Sequence, residues 1–283
     1  MKIDKFLEKV MRRQFAFPRS EADLALLRSI TEGRLDRTKP GDWSFHGCAA
    51  ALNVASEFAS QALDILELIP FNNKLADVQE EYMPSYPPMS PVTSAFFAAW
   101  MVLDAQDPLT GKTLGELFAH YLEARSGPDL LQRALSALND SHCAFYEVRG
   151  VDSGEVRLWD IAGRREFRCW NSSGYVGRKG EVWFVRVLPP LLETGERSVT
   201  MNTPYVFVEG GRRPWEDFFE RCPRSRAGSN AGLRDYLKFG QFLGYWLEFV
   251  VQAYVNHTGN AIFVMGFPDR PNSMPHSEHG RKL

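Results

Sequence analysis

The stretch of residues 143–208 constrains the fold more than any other part of this sequence. Its side chains alternate with a period of two, for example over residues 145–151 and 182–187, and glycines separate the alternating runs. Such alternation is typical of β-strands, and glycines at the ends of short runs favour tight turns. Because helical spacing precedes and follows this stretch, we predict an α+β protein built around a small, bent antiparallel sheet.

The alternating stretch offers about five strands. They cover residues 144–151, 155–161, 166–170, 181–188 and 198–208, the last with a break near residues 202–204. Short strands joined by tight turns close most economically into a small barrel. The predicted chain therefore has four parts: a helical region (1–140), a small β-barrel-like module (143–208), C-terminal helices and a strand that pack on both (212–267), and a tail (268–283).

Helical signals define the parts on either side of the barrel. Capping boxes are predicted at Ser20–Asp23 and at Thr113–Glu116, and a long helix with an alanine-rich stripe is predicted over residues 47–69. Residues 231–256 are apolar except for one narrow polar stripe, which predicts a single core helix that is packed on most of its circumference. Residues 261–267 predict one further strand.

Charge and composition exclude several classes of protein. The formal net charge is −2, and nine Lys and Arg residues face eight Asp and Glu residues between positions 144 and 208, so we do not expect a nucleic-acid partner. No apolar run is long enough to span a membrane. The four cysteines are widely separated and no secretory signal opens the sequence, which together predict free thiols in the cytoplasm.

A set of residues, most of them in predicted strands and turns, lies between residue 113 and residue 190 of the chain. It consists of Thr113-Leu114, Leu135, Leu138, residues 145–148, residues 158–160 and residues 180–187. In this combination the chain resembles a set of uncharacterised bacterial proteins that often carry the zinc motif of the SecA tail. The resemblance covers roughly a quarter of the chain, and the clustered cysteines of the zinc motif are absent. It implies a shared fold segment and no activity.

His46 and Cys48 form one candidate catalytic pair. A cysteine in the first turn of a helix has its thiolate favoured by the helix dipole, and a neighbouring histidine can act as a base. The alternative is that Ser44 or His46 caps the helix while Cys48 packs as a small apolar residue. Nothing in the spacing makes the two side chains point together, so packing is the preferred interpretation.

The other titratable residues suggest no complete site. Asp140, His142 and Cys143 cluster where the helical region meets the sheet, and His276 and His279 have the spacing of a helical metal pair, but neither group completes a four-coordinate zinc site. Glu248 is the one carboxylate in the aromatic-rich predicted helix. Burial against Tyr245 or Trp246 would raise its pKa, but Glu248 lies on the polar stripe, so solvent or a partner arginine is the preferred neighbour. No metal or cofactor is predicted.

The loop before the predicted C-terminal core helix is the sharpest candidate for a binding site. Arg224 and Arg226 precede Ser229 and Asn230, which suit an N-cap position. The first turn of a helix presents unpaired N–H groups and a partial positive charge, and two arginines add forked donors suited to phosphate or carboxylate. We predict an anion site formed by Arg224, Arg226, Ser229 and Asn230.

The sequence as a whole favours a cytoplasmic, non-catalytic binding or regulatory protein. Its partner would be an anionic small molecule or a protein. The alternative is an enzyme that uses the His46 and Cys48 pair near the start of the long N-terminal helix. A deep pocket in which titratable side chains converge would favour the enzyme, and a shallow groove or exposed patch would favour binding.

Overall fold

The computed structural model of the chain describes residues 3–32, 42–83, 90–152, 155–191, 197–209, 211–221 and 230–267. The chain divides into two compact units, each made of three segments. The helical unit comprises Met1–Glu81, Ala98–Asp140 and Pro190–Glu196, and the barrel unit comprises Tyr82–Phe97, Ser141–Pro189 and Arg197–Leu283. Within the described ranges, no helix combines the length and the apolar character that crossing a membrane requires.

The first part of the chain is helical, as predicted. Its elements are α1 (Ile3–Arg12), α2 (Glu21–Thr31), α3 (Asp42–Ala62), a short 3-10 turn (Leu66–Leu68), α4 (Ile69–Tyr82), α5 (Ser94–Leu103), α6 (Leu114–Ala124) and α7 (Asp129–Asp140). Helix α3 packs against α2, α6 and α7. Its Phe58 ring lies 4.7 Å from the ring of Phe118, and its alanine stripe is buried, which confirms the predicted close approach of neighbouring helices.

The two predicted capping boxes have different outcomes. Thr113 accepts a hydrogen bond from the Glu116 N–H, and Glu116 accepts one from the Thr113 N–H, so this box is confirmed. The box at Ser20 is wrong, because the Ser20 side chain makes no capping hydrogen bond and its backbone lacks the extended conformation of an N-cap. Its N–H instead donates to the carboxylate of Glu57 in α3 at 3.0 Å.

Among the described residues of the barrel unit, eight short strands form the sheet. They are β1 (Cys143–Asp152), β2 (Glu155–Asp160), β3 (Arg165–Asn171), β4 (Val182–Leu188), β5 (Ser198–Thr200), β6 (Tyr205–Phe207), β7 (Tyr254–His257) and β8 (Ile262–Val264). The five predicted strands of residues 144–208 are all present, and the predicted break separates β5 from β6. The strand predicted near the C-terminal end is β8.

Five of these strands close into a barrel, so the predicted α+β fold with a small barrel is confirmed. The order is β1-β2-β3-β5-β4, and β4 pairs with β1 to complete the ring. All these pairings are antiparallel except that of β3 with β5. A bulge between Val148 and Gly150 interrupts the pairing of β1 with β2, and bulges of this kind bend a strand sharply enough for closure. Beyond β4 the sheet continues through β6, β8 and β7.

The described part of the barrel unit also contains three helices that follow β6: α8 (Arg213–Arg221), α9 (Asn230–Phe239) and α10 (Tyr245–Ala253). Helices α8 and α10 cover the outward side of β1 and β4. Phe145 of β1 stacks on Trp215 of α8 at 4.0 Å between ring centroids, and Phe184 of β4 lies 5.2 Å from Trp246 of α10. The barrel therefore has an inner core and a second, aromatic core beneath these helices.

The prediction of one continuous helix over residues 231–256 is wrong. The chain leaves the helix at Gly240, and both Gly240 and Gly244 have positive φ angles, of 68° and 82°. Other residues seldom adopt this left-handed conformation, and glycine there favours a turn. The turn folds α10 back onto α9, where Trp246 donates its indole N–H to the Tyr236 carbonyl oxygen at 3.2 Å. The sequence of residues 231–256 shows only a narrow polar stripe because α9 and α10 each bury most of their surface.

Candidate ligand-binding cleft

A cleft of about 560 Å³ opens in the barrel unit. The turn between β2 and β3 forms one wall, and helices α8 and α9 form the others. It is lined by His142, Asp160, Ile161, Ala162, Gly163, Arg164, Arg165, Glu216, Phe219, Glu220, Leu233, Arg234 and Leu237. Its volume lies within the range of roughly 300–1,000 Å³ that is usual for small-molecule sites. We call this feature the cleft.

Asp160 builds the wall formed by the turn. Its Oδ1 accepts hydrogen bonds from the N–H groups of Ala162 at 3.1 Å and Gly163 at 2.7 Å, and its carbonyl oxygen accepts one from Arg164 at 2.9 Å. Asp160 is buried, and burial raises the pKa of its carboxyl group above the usual 3.8. A side chain that closes a turn in this way holds the following arginines in a defined position.

Two arginines extend from this turn. Arg164 has a φ angle of 52°, which is uncommon for a residue with a side chain, and it makes no ion pair with any described residue. The Arg165 guanidinium lies over the Phe167 ring at 4.6 Å and approaches the Asp160 carboxylate at 3.9 Å. Both side chains are exposed, so their charges are available to a ligand in the cleft.

His142 lies at the inner end of the cleft, directly before β1. Its Nδ1 atom is buried and has no hydrogen-bond partner among the described residues. Burial and, after it, the positive charges of Arg186, Arg234, Lys238 and Arg165 together lower the pKa of its ring to about 3. The ring is therefore neutral near pH 7. Its lowered pKa also shows that several positively charged side chains lie near this end of the cleft.

Arg186 of β4 holds Ser141, the residue before His142, in position. Its guanidinium is almost completely buried, with 1% of the residue exposed, and it donates to both the carbonyl oxygen and the hydroxyl of Ser141 at 2.9 Å. These hydrogen bonds set the path of the chain as it enters β1. They also place a permanent positive charge near the His142 ring.

The helical walls supply apolar surface and acidic groups. Phe219 of α8 and Leu237 of α9 are buried, so the cleft has an apolar side suited to the carbon skeleton of an organic ligand. Glu216 pairs with Arg212 at 2.9 Å, which already compensates its charge. Among the described lining residues there is no cysteine, serine, threonine, lysine or tyrosine, so the cleft presents no hydroxyl, thiol or amine nucleophile.

The predicted anion site falls mostly outside the described residues. Arg224, Arg226 and Ser229 are not among them, and of Asn230 the structure describes only that it begins α9. The loop that contains these residues nevertheless connects α8 to α9, and both helices line the cleft. The prediction of an anion site at Arg224, Arg226, Ser229 and Asn230 stays a prediction.

The His46 and Cys48 pair lies in a setting unlike the one expected. Helix α3 begins at Asp42, so Cys48 is in its second turn and Ser44 is inside the helix instead of capping it. Cys48 is buried, burial raises the pKa of its thiol to about 12, and His46 is exposed. A thiol of this kind is almost entirely protonated at neutral pH and reacts slowly. Ser44 accepts a hydrogen bond from the Leu191 N–H at 3.0 Å.

Glu248 and Cys143 are not among the described residues that line the cleft. Glu248 of α10 is buried and accepts a hydrogen bond from Gln252. Cys143 is a buried residue of β1, and His276 and His279 lie outside the described residues. Within the described part of the chain, no group of three or more His, Cys, Asp or Glu residues is arranged to hold a metal ion.

Sequence reasoning missed most of the cleft. It noted His142 only as a possible metal ligand, and it passed over Asp160, Arg165 and Arg234. The run Asp160-Ile-Ala-Gly163 carried a usable signal, because aspartate followed by glycine three residues later favours a turn closed by the side chain. The comparisons with known proteins add no further guide: no family model, no curated protein and no solved structure matches the chain.

Proposed function

We propose that this chain is a non-catalytic binding or regulatory protein that takes a small organic anion in the cleft. The observation that carries the proposal is the buried, unpartnered Nδ1 atom of His142 at the positively charged inner end of the cleft. A buried polar atom without a partner costs free energy, and a bound ligand that hydrogen-bonds to it recovers that cost.

The charges of the cleft support an anion over a cation. Three of the lining residues are acidic, but Asp160 already accepts two backbone hydrogen bonds and Glu216 is paired with Arg212. Arg164 makes no ion pair with any described residue. Glu220 is acidic, exposed and in no ion pair with a described residue, so the support for an anion comes from the His142 end of the cleft, where the charges that act on the ring are those of Arg186, Arg234, Lys238 and Arg165.

The apolar lining supports an organic ligand over a bare inorganic ion. Phe219, Leu233 and Leu237 form an apolar surface with which an inorganic ion would make no favourable contact. The absence of a hydroxyl, thiol or amine nucleophile among the described lining residues supports binding over covalent catalysis by such groups. We place the protein in the cytoplasm, where the three described cysteines, none of which forms a disulfide, would stay reduced.

The proposal is tested by thermal unfolding with phosphate, phenyl phosphate and benzoate. A ligand at 100 times its dissociation constant should stabilise the protein by about 2.7 kcal/mol, and phenyl phosphate should act at a lower concentration than phosphate because of the apolar wall. Arg164→Gly should lower the gain, since it removes the charge while glycine accepts the positive φ. Arg133→Ala is the matched control, because Arg133 is an exposed arginine of the helical unit.

Two outcomes would contradict the proposal. One is the absence of any anion-dependent stabilisation, and the other is an equal loss in Arg164→Gly and Arg133→Ala. The double variant Arg224→Ala, Arg226→Ala extends the test to the loop between α8 and α9. If this double variant keeps the full gain while Arg164→Gly loses it, the ligand binds in the cleft without the predicted loop site.

A further inference from the structure

Strand β7 lies at the free edge of the sheet in the barrel unit. The strand order ends with β6, β8 and β7, and among the described strands only β8 pairs with β7. All four residues of β7 are exposed, so no other described part of the chain covers the strand. An edge of this kind presents unpaired N–H and C=O groups, to which another extended chain can hydrogen-bond.

Apolar side chains gather around this edge. Among the described residues, eight large apolar side chains are exposed, and half of them lie here: Val208, Tyr254, Val255 and Met265. The N–H of Val208 donates to the Val264 carbonyl oxygen at 3.0 Å, and the N–H of Met265 donates to that of Ala253 at 2.8 Å. Val208 and Met265 therefore lie beside each other and beside the start of β7, and we call these two residues together with β7 the apolar edge. Exposed apolar side chains that cluster, unlike single scattered ones, are typical of an interface.

Strands β7 and β8 carry no charged side chain. Residues 249–267 contain no Asp, Glu, Lys or Arg, although these types make up 24% of the whole chain. Sheet edges that stay unpaired commonly carry lysine or another charge as a protection, and the apolar edge has none. The titratable groups of β7, Tyr254 and His257, hydrogen-bond to each other at 2.7 Å. Charged residues near the end of β8, namely Glu209, Arg213 and Asp217, line a pocket with Gly266 and Phe267.

Two features of β7 limit main-chain pairing. The strand has only four residues, and a bulge lies between Tyr254 and Asn256. Short edge strands and bulges both reduce the pairing that an edge can offer. A partner must therefore gain from apolar contacts as well as from main-chain hydrogen bonds, which favours a partner that presents an extended strand with apolar side chains beside it.

We propose that the apolar edge pairs with the same edge of a second copy of this chain, β7 against β7 in antiparallel orientation. A two-fold axis brings identical surfaces together, so each copy supplies the strand and the apolar side chains that the other needs. The two edges bring no like charges together, and the formal net charge of the chain is only −2, so repulsion between copies is small. This inference does not depend on a ligand in the cleft.

Size-exclusion chromatography with light scattering tests the proposal. The wild type should have twice the mass of one chain and should dissociate on dilution. Val255→Lys should weaken the association by about tenfold or more, because the two-fold axis brings the two new charges into one interface. Val151→Lys is the matched control and should associate like the wild type, since Val151 and Val255 are both strand residues that are 43% exposed, and Val151 of β1 pairs with β2.

Cross-linking tests the pairing itself. In an antiparallel pair of β7 strands, position 255 lies near the two-fold axis, so a mild oxidant should join two copies of Val255→Cys by a disulfide and should not join copies of Val151→Cys. The wild type gives the background, and its three described cysteines are buried. Thermal unfolding checks the fold of each variant, and the cysteine variant keeps the test valid if Val255→Lys unfolds.

Three outcomes would overturn the proposal. The first is a wild type that keeps the mass of one chain at about 100 μM, where even a weak specific dimer is populated. The second is equal association of Val255→Lys and Val151→Lys. The third is a dimer that Val255→Cys does not cross-link above the wild-type background, because the copies would then meet through another surface.

Discussion

The Thr113 capping box of the helical unit and the cleft of the barrel unit hold their polar groups in different ways. In the helical unit, Thr113 and Glu116 satisfy each other, and the buried hydroxyl of Ser44 accepts the Leu191 N–H. In the barrel unit, His142 buries a ring nitrogen without a partner among the described residues, and burial raises the pKa of Asp160. The first arrangement stabilises a fold, whereas the second lowers stability unless a ligand compensates it.

This difference is better evidence for the position of a functional site than the pair of His46 and Cys48 is. Perturbed titratable groups that lie in a cleft are typical of functional sites, whereas a buried thiol in a well-packed helix is typical of a core. The helical unit presents a reactive type of residue in an unreactive setting. The barrel unit presents ordinary residues in a setting that makes them suited to binding.

The largest expected effect tests whether both units have well-packed cores. Trp246→Ala in α10 should lower the free energy of unfolding by about 3–5 kcal/mol, because it removes a large buried aromatic side chain. Phe58→Ala in α3 is the matched change in the helical unit and should cost a similar amount, since Phe58 is fully buried. Chemical denaturation measures both. A change near zero for Trp246→Ala would show that the aromatic core beneath α10 is not packed as described.

A smaller effect, on the pH dependence of the free energy of unfolding, tests His142, whose Nδ1 atom has no hydrogen-bond partner among the described residues. The folded-state pKa of His142 is about 3 against an ordinary value of 6.5, so below pH 6.5 the unfolded chain binds a proton that the folded protein does not. Stability should therefore fall with decreasing pH, by about 2 kcal/mol between pH 7 and pH 5 from this residue alone. The field that acts on the ring includes Arg165, Arg186, Arg234 and Lys238, which stay charged throughout this window.

His142→Gln should flatten that pH dependence, and His120→Gln is the control because His120 is an exposed histidine of the helical unit. Denaturation curves at a series of pH values give the comparison. If wild type and His142→Gln lose stability in parallel as the pH falls, His142 is protonated in the folded protein and the inner end of the cleft is wetter than described.

The smallest expected effect concerns Cys48. Its thiol should react slowly with iodoacetamide at neutral pH, because it is buried and its pKa is raised to about 12. His46→Ala should leave the rate unchanged, and protein unfolded in urea should react rapidly. Peptide mapping by mass spectrometry follows this cysteine separately from the others. Fast labelling of the folded protein that His46→Ala abolishes would restore the catalytic pair.

Much of the fold could be predicted because local signals and burial agree in the barrel. The strands of residues 144–208 are separated by turn residues even though β4 is buried on both faces, and the box at Thr113 and Glu116 has both required side chains. The C-terminal helix was predicted wrongly because the narrow polar stripe runs on through residues 231–256 without interruption, so the pattern carries no mark of the turn. Gly240 and Gly244 were the only local sign of it, and isolated glycines also occur inside helices.

The candidate sites could not be predicted to the same extent, because their residues are distant in the sequence. His142, Asp160 and Arg234 come together only when the β2–β3 turn lies beside α9. Strand register decides which side chains are neighbours on β2 and β3. Arg157 and Arg168 are opposite each other only in the observed pairing. A shift of one residue would turn either side chain to the other face, and composition alone contains no information about that choice.

The short segment of the helical unit that begins at Pro190 has a consequence for how the protein is made. Leu191 belongs to the helical unit, is buried there, and follows β4 of the barrel unit in the chain. A ribosome therefore synthesises β1 to β4 before it delivers the residue whose N–H reaches Ser44 of α3. The N-terminal helices cannot finish folding as they emerge, and neither unit can be cut out or exchanged as a continuous cassette.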